Sequence, residues 1–511
     1  MPGTLRRPRP HGQPSQPIPT RLQPDRNAGG RSVRTVASVA TPADRAPRAF
    51  PAARPRRPEL AAVAEASLGV LAVAGVLTGC VGFALAQAER PSFLAPPTIH
   101  GDPSWLAGPL AGLWPSLTRS APSLEWGASM ALLAMTACWL LAVACAPRLG
   151  LRVILPAAIA AIAVLTLAPP FSLTDTFNYL HYARMGPLYG LNPYTHLPIE
   201  ASADPIYRWT TWHHLRSPYG PLFTFAFQLL APLGVAQEYW TLKVAVAVAA
   251  VCVAVLVALL AKRFGRDPAT AVAFVMLNPL VLIYGIGGVH NDVFVLALLL
   301  GGMLLVQTRA AALGGVSWAA AVAIKLSAGL AVPFLLVGAT RRLRVAGGLA
   351  LGAAGAAALV FFAFGGHLPN DGQQDRLVVA LGPANLLGLA LGHGGLDAGL
   401  RHTLTVALGA GTLALALWTW RTRNWAAGAA WSAVLLLLTL GWVVPWYVLW
   451  VLPFAALAPR PAPRAVAVAL TVYLLLIWAP ASAPALHQFG EYPSATATGR
   501  ANNHFLQTLL R

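Results

Sequence analysis

Apolar blocks of membrane-spanning length recur along this chain from residue 60 to residue 483. A hydrocarbon core of roughly 30 Å takes about 20 residues of helix to cross. Within it, backbone N–H and C=O groups must be satisfied inside the helix or around a closed barrel. The blocks are rich in Ala, Leu, Val and Gly and lack strand-period alternation, so they are helices rather than barrel strands. An all-α polytopic membrane protein is the fold class that follows. Composition agrees: 57% of the 511 residues are hydrophobic and only 10% charged, against about a quarter charged in soluble domains.

The net charge of +19 raises the question of nucleic acid. A large share of the arginines falls in residues 1–57, and most others lie in short connections between apolar blocks. That is the positive-inside pattern, not a basic groove interleaved with aromatics, so no nucleic-acid partner is expected. Residues 1–57, rich in Pro, Arg, Ser and Gly, read as a disordered basic cytoplasmic tail. Cys80, Cys138, Cys145 and Cys252 all fall inside apolar blocks without metal-site spacing, and are expected as small buried hydrophobes.

Loop charges thread the chain from a cytoplasmic N-terminus. Blocks 60–87, 126–146 and 153–169 lead to an external polar stretch at 170–218. Residues 219–235 are assigned to a juxtamembrane or re-entrant helix, because a full span there would put Lys262, Arg263 and Arg266 outside. Blocks 239–261, 269–287 and 293–308 follow. Residues 311–339 are too long for one helix and are bounded by Arg309 and Arg341, so two short helices are expected to meet externally near Lys325. Blocks near 345–365, 402–420, 425–443, 446–458 and 465–483 complete a transmembrane domain over 58–483. A second external loop spans 367–400, and residues 484–511 form an external tail. The expected total is about 13 spans.

Long polar connectors are unusual in such proteins and are functional candidates. If residues 174–185 are helical, Asp175, Asn178, Tyr179 and Tyr182 share one face. Arg184, Trp209, Trp212, Arg216 and Tyr219 lie on the same stretch. Tyr and Trp beside carboxylates suit a sugar-binding surface, although an interfacial aromatic belt would use the same residues. His290, Asn291 and Asp292 stand at an external helix start, where Asp292 either positions a hydroxyl or joins Asn291 in capping the helix. Lys325 is a charge at depth, which needs a partner unless it snorkels to the interface.

The order of several short motifs resembles a known family. They are Thr174-Asp175-Thr176-Phe177-Asn178-Tyr179, Gly190-Leu191-Asn192-Pro193-Tyr194-Thr195-His196 and Ser217-Pro218-Tyr219-Gly220-Pro221-Leu222. Asn278-Pro279 leads on to Gly288-Val289-His290-Asn291-Asp292, then Ala323-Ile324-Lys325-Leu326 and Pro445-Trp446-Tyr447-Val448-Leu449-Trp450. Over roughly residues 60–480 the chain resembles the GT-C superfamily of glycosyltransferases. It is most similar to the actinobacterial polyprenol-phosphate-mannose-dependent α-1,6-mannosyltransferases. The resemblance implies a GT-C-like helical bundle and a polyprenyl-phosphate hexose donor. It also implies a glycan or glycolipid acceptor of the cell envelope, and an active site on the external face of the cell membrane. It further implies an Asp general base, for which Asp175 occupies the position.

Chemistry then assigns the other candidates. A carboxylate in reach of an acceptor hydroxyl takes its proton, and fixed cations stabilise the charge growing on a departing phosphate. Lys325 is the first choice of cation, with Arg184 and Arg216 behind it. Asp292, His290, Tyr179, Tyr182 and Tyr219 are expected to line the substrate site. The histidines lack zinc-site spacing and a monophosphate leaving group needs less neutralisation than a pyrophosphate, so neither metal nor cofactor is expected. A secondary transporter or flippase of lipid-linked glycans is the competing reading. Such proteins carry paired repeats and midplane charges, whereas here no repeat is visible and charge inside the blocks is almost confined to Lys325.

Overall fold

The computed structural model describes residues 57–89, 104–114, 121–171, 175–369 and 372–510, and every regular element among them is helical. The expected disordered tail at 1–57 lies almost wholly outside the described residues. In chain order, and leaving aside the single turn Ser104–Ala107, the helices are α1 (Arg57–Glu89), α2 (Ala121–Leu149), α3 (Leu151–Thr166), α4 (Asp175–Tyr189), α5 (Pro221–Gln228) and α6 (Val235–Arg263). Next come α7 (Pro268–Met276), α8 (Asp292–Leu305), α9 (Ala311–Ile324), α10 (Val332–Gly338), α11 (Arg342–Phe364) and α12 (Pro383–Ala390). The remainder are α13 (Ala398–Thr422), α14 (Trp425–Thr439), α15 (Leu452–Leu457), α16 (Ala462–Trp478), α17 (Ser482–Gln488) and α18 (Ala497–Leu510).

Among the described residues, five helices, α1, α2, α6, α11 and α13, are long and apolar enough to cross a membrane. Two bent pairs bring the total to seven: α7 with the π-helical turn Leu280–Ile286, bent by 55°, and α16 with α17, bent by 74°. The other apolar blocks form shorter helices, so about 13 full spans is more than length and composition support. Residues 219–235 yield α5 and a 3₁₀ turn at Ala231–Leu233, an apolar helical stretch shorter than a full span. The block at 446–458 is not one helix: a 3₁₀ segment, Pro445–Trp450, gives way at Val451 to the short α15. Pro453 lacks the N–H that would bond the Leu449 carbonyl in a continuous helix, which accounts for the break.

Close backbone approach packs the bundle. A Cβ on Gly348 of α11 would stand 1.9 Å from the Ala312 carbonyl oxygen of α9, and one on Gly315 would stand 2.2 Å from that of Val345. Without a hydrophobic force between helices in lipid, such small-residue contacts let the backbones touch. Cys80 and Cys145 are buried as expected, whereas Cys252 is exposed on α6. The C-terminal segment is not a free tail. Leu509 of α18 is buried against Trp212, Leu215 and Leu377, and its carbonyl accepts from the His214 N–H at 3.0 Å.

Candidate active site

The polar stretch after α3 folds into α4, with Asp175 in its first turn, where a negative side chain complements the helix dipole. Asp175 Oδ1 accepts from the Tyr219 hydroxyl at 3.0 Å and from Trp212 Nε1 at 3.4 Å, while Oδ2 lies 3.5 Å from His290 Nδ1. Its side chain keeps 15% exposure, so one side of the carboxylate is open. The helical face read from the sequence builds this environment. Asn178 Oδ1 accepts from the N–H groups of Thr211 and Trp212 at 3.1 and 3.4 Å and so fixes the tryptophan. Tyr179 and Tyr182 set their rings against Tyr219 at 4.5 and 5.8 Å. The Tyr182 hydroxyl donates to the Leu215 carbonyl at 2.5 Å, and that of Tyr179 accepts from the Asn291 N–H at 3.4 Å.

Burial raises the Asp175 carboxyl above the ordinary carboxylate range, against the lowering effect of the Tyr219 and Trp212 hydrogen bonds and the Lys325 charge. Raised basicity is what a proton acceptor working near neutrality needs.

Lys325 belongs to the same group. The helical hydrogen bonding of α9 stops there, with Lys325 at φ −152° and ψ 119° before a 3₁₀ turn at Leu326–Ala331. Its ammonium donates to both Asp292 oxygens at 2.8 and 3.0 Å, and Asp292 Oδ1 also accepts from Trp450 Nε1 at 2.7 Å. The Tyr447 ring lies 4.7 Å from Nζ. Asp292 is 1% exposed against 26% for the Lys325 side chain, so the carboxylate holds the lysine from behind while the lysine keeps an open side. Asp292 is therefore not the cap of α8: it is the first residue of that helix, and its carboxylate is engaged by Lys325 and Trp450. Gly220 ties the two halves together. Its N–H donates to the Ile324 carbonyl at 3.1 Å, and a Cβ there would fall 2.2 Å from the Ala323 oxygen, so only glycine brings Tyr219 this close to the Lys325 turn.

His290 lies beside Asp175 in a strained turn. The π-helical Leu280–Ile286 precedes it, and Val289 holds φ at 59°, a conformation that costs a β-branched residue dearly. The imidazole is buried and stacked on Trp446 with ring centroids 3.6 Å apart. Burial first, and the Lys325 charge second, hold its pKa well below the usual histidine value. It therefore meets Asp175 as a neutral ring.

Two candidate cations do not join this group through any contact among the described residues. Arg184, expected to meet a phosphate, is buried with Nε 2.9 Å from Asp204 and Nη1 3.4 Å from Glu238. It cross-links α4 to the 201–209 segment and to α6. Arg216 donates from Nε to the Thr195 carbonyl at 3.0 Å. Glu238 and Lys243 are buried in α6, so charge inside the bundle is not confined to Lys325. The contacts of Trp212, taken from sequence as sugar platform or interfacial belt, and those of Trp446 and Trp450, quoted only as a motif, also escaped the sequence reading. Among the described residues no three His, Cys, Asp or Glu side chains converge to hold a metal ion.

Residues 68–341 match the family described as "Alpha-(1->6)-mannopyranosyltransferase, N-terminal domain", and residues 378–502 match "MptB C-terminal domain". The chain is 30% identical over 376 residues to alpha-(1->6)-mannopyranosyltransferase A of Mycobacterium tuberculosis, covering 66% of this chain and 71% of that one. It is 27% identical over 198 residues to the protein of the same name from Corynebacterium glutamicum, covering 34% and 36%. No solved structure matches. Asp175, Tyr219, His290, Asp292 and Lys325 all fall within the first matched segment. The chain belongs to the alpha-(1->6)-mannopyranosyltransferase family.

Proposed function

We propose that this protein transfers a mannosyl residue from a polyprenyl-phosphate donor to a glycan or glycolipid acceptor of the cell envelope, on the external face of the membrane. An acceptor hydroxyl attacks the anomeric carbon, the carbon–oxygen bond to phosphate breaks with its electron pair leaving on the phosphate, and Asp175 takes the hydroxyl proton. A single displacement of this kind inverts the anomeric configuration. The Tyr219 and Trp212 hydrogen bonds orient the carboxylate and leave Oδ2 toward the incoming hydroxyl. Lys325 stabilises the departing phosphate: an ammonium has three N–H donors, and Asp292 takes two.

The observation that supports this reading most is the convergence of a partly exposed carboxylate and a partly exposed ammonium, Asp175 and Lys325, from helices far apart in sequence. The test is to supply purified protein with polyprenyl-phosphate mannose and a mannoside acceptor, and to follow product by mass and anomeric proton NMR. An inverted mannoside linkage is expected. Substrate flux across liposomes without transfer from any lipid-phosphate hexose would replace the proposal with the transporter.

A further inference from the structure

A second cationic feature lies well away from the site above. A cavity of about 840 Å³ opens between the end of α10, the start of α11 and the junction of α13 with α14, and Arg341, Arg342, Arg344 and Arg423 line it. None of the four pairs with a carboxylate among the described residues. Two are held in place: Arg341 Nη1 donates to the Thr308 carbonyl at 3.0 Å, and Arg342 Nη2 to that of Val337 at 3.1 Å while stacking 4.3 Å from the Trp420 ring. Trp425 packs against Gly338, where a Cβ would stand 2.2 Å from the indole, and this contact closes one wall. The first turn of α11 contains no acidic residue, so its N-terminal dipole adds to the positive potential instead of being offset.

The surroundings identify the kind of anion. Of the apolar stretches of α11 and α13, only 17% and 11% are buried, so the cavity opens between two helices whose apolar surfaces are largely uncovered. Leu343, at the rim, is 90% exposed, and Trp420 is 52% exposed. A fixed cluster of arginines with long bare apolar surface running from it matches a phosphodiester headgroup with two acyl chains, and basic pockets between membrane helices take such lipids. The cavity is also remote from the candidate active site. The far end of α11 meets the 170–218 segment, where Asn192 Nδ2 donates to the Phe364 carbonyl at 2.8 Å. The 23 residues of α11 separate the two ends by about 34 Å.

We infer that the cavity bounded by Arg341, Arg342, Arg344 and Arg423 binds the headgroup of an anionic phospholipid, with its acyl chains laid against α11 and α13. The site is distinct from that of the sugar donor and stands whether or not the proposed reaction does.

Native mass spectrometry of the full-length protein in neutral detergent tests this, with phosphatidylglycerol and phosphatidylcholine as probes. Among the described residues the side chains of Arg344 and Arg423 donate no hydrogen bond, and Arg423 only lies 5.5 Å from the Trp420 ring, so the pair Arg344→Gln with Arg423→Asn perturbs the fold least, asparagine suiting the φ of 60° at 423. At roughly tenfold or less per arginine, the pair should weaken phosphatidylglycerol retention by about ten- to a hundredfold and leave phosphatidylcholine unchanged. Arg460→Gln with Arg464→Gln removes the same charge elsewhere and should change nothing; equal loss in that pair would mean a diffuse basic face and overturn the site. Displacement of the lipid by millimolar inorganic phosphate would mean a free-anion site and overturn the lipid. Should the first pair fail to fold, diazirine-labelled phosphatidylglycerol on the unaltered protein must label 337–344 or 420–425, and labelling only elsewhere rejects the proposal.

Discussion

Removing the Tyr219 hydroxyl isolates one influence on the basicity of Asp175. Tyr219 donates to Oδ1 at 3.0 Å, the first of the effects that lower a carboxyl otherwise raised by burial. A hydrogen bond to a charged group contributes about 1.5–3 kcal/mol, and one pKa unit corresponds to about 1.4 kcal/mol. In Tyr219→Phe the carboxylate loses that support, so its pKa moves further up. The base works only when ionised. Transfer is therefore retained above the carboxyl pKa and lost as pH falls through it, and the acid limb of kcat/KM should move to higher pH by the same amount. At a pH below both limbs the variant should be slower by about ten- to a hundredfold, and at high pH the two enzymes should converge to within a few fold. The assay is the pH profile of mannosyl transfer to a mannoside acceptor. An acid limb that stays in place or moves down would refute the reasoning, because the bond would then not be made to the ionised base.

Other expectations follow from the same contacts. Lys325→Ala leaves Asp292 buried and unpaired, with a loss of about 3–5 kcal/mol in thermal unfolding. Adding Asp292→Asn should recover most of the stability while KM for the donor stays high, and full recovery of KM would remove Lys325 from donor binding. Gly220→Ala drives a Cβ into the Ala323 carbonyl and should cost about 1–3 kcal/mol of stability, together with most of the activity; an unchanged melting temperature and rate would show the approach is not close. Arg184→Gln strands the buried Asp204 and Glu238 and should cost about 3–5 kcal/mol, read as a fall in Tm, with donor KM per folded molecule little changed.

Local periodicity carried much of this architecture, and long-range pairing did not. A helix near 174–185 with Asp175, Asn178, Tyr179 and Tyr182 on one face was legible from spacing alone, and the helix break at Lys325 from block length and flanking arginines. The Asp292–Lys325 pair could not be read, because 33 residues and a complete helical hairpin separate its members. Trp450 reaches the same carboxylate across 158 residues, a closure that only the packed bundle defines. Arg184 read as a loop cation because its two carboxylates, at 204 and 238, have no periodic relation to it. Span count suffered from the opposite problem. Apolar blocks were plain, but prolines and the π-helical turn divide several of them into pieces too short to cross alone.

Asp175→Asn measures the central claim most directly. The amide keeps the size of the carboxylate and can still accept a hydrogen bond from Tyr219, but it cannot take a proton. With polyprenyl-phosphate mannose and a mannoside acceptor, the rate should fall by about 10²–10⁴ while melting temperature and donor binding stay near those of the unaltered protein. Equal transfer by the two proteins would contradict the account, since the proton would then be leaving by another route.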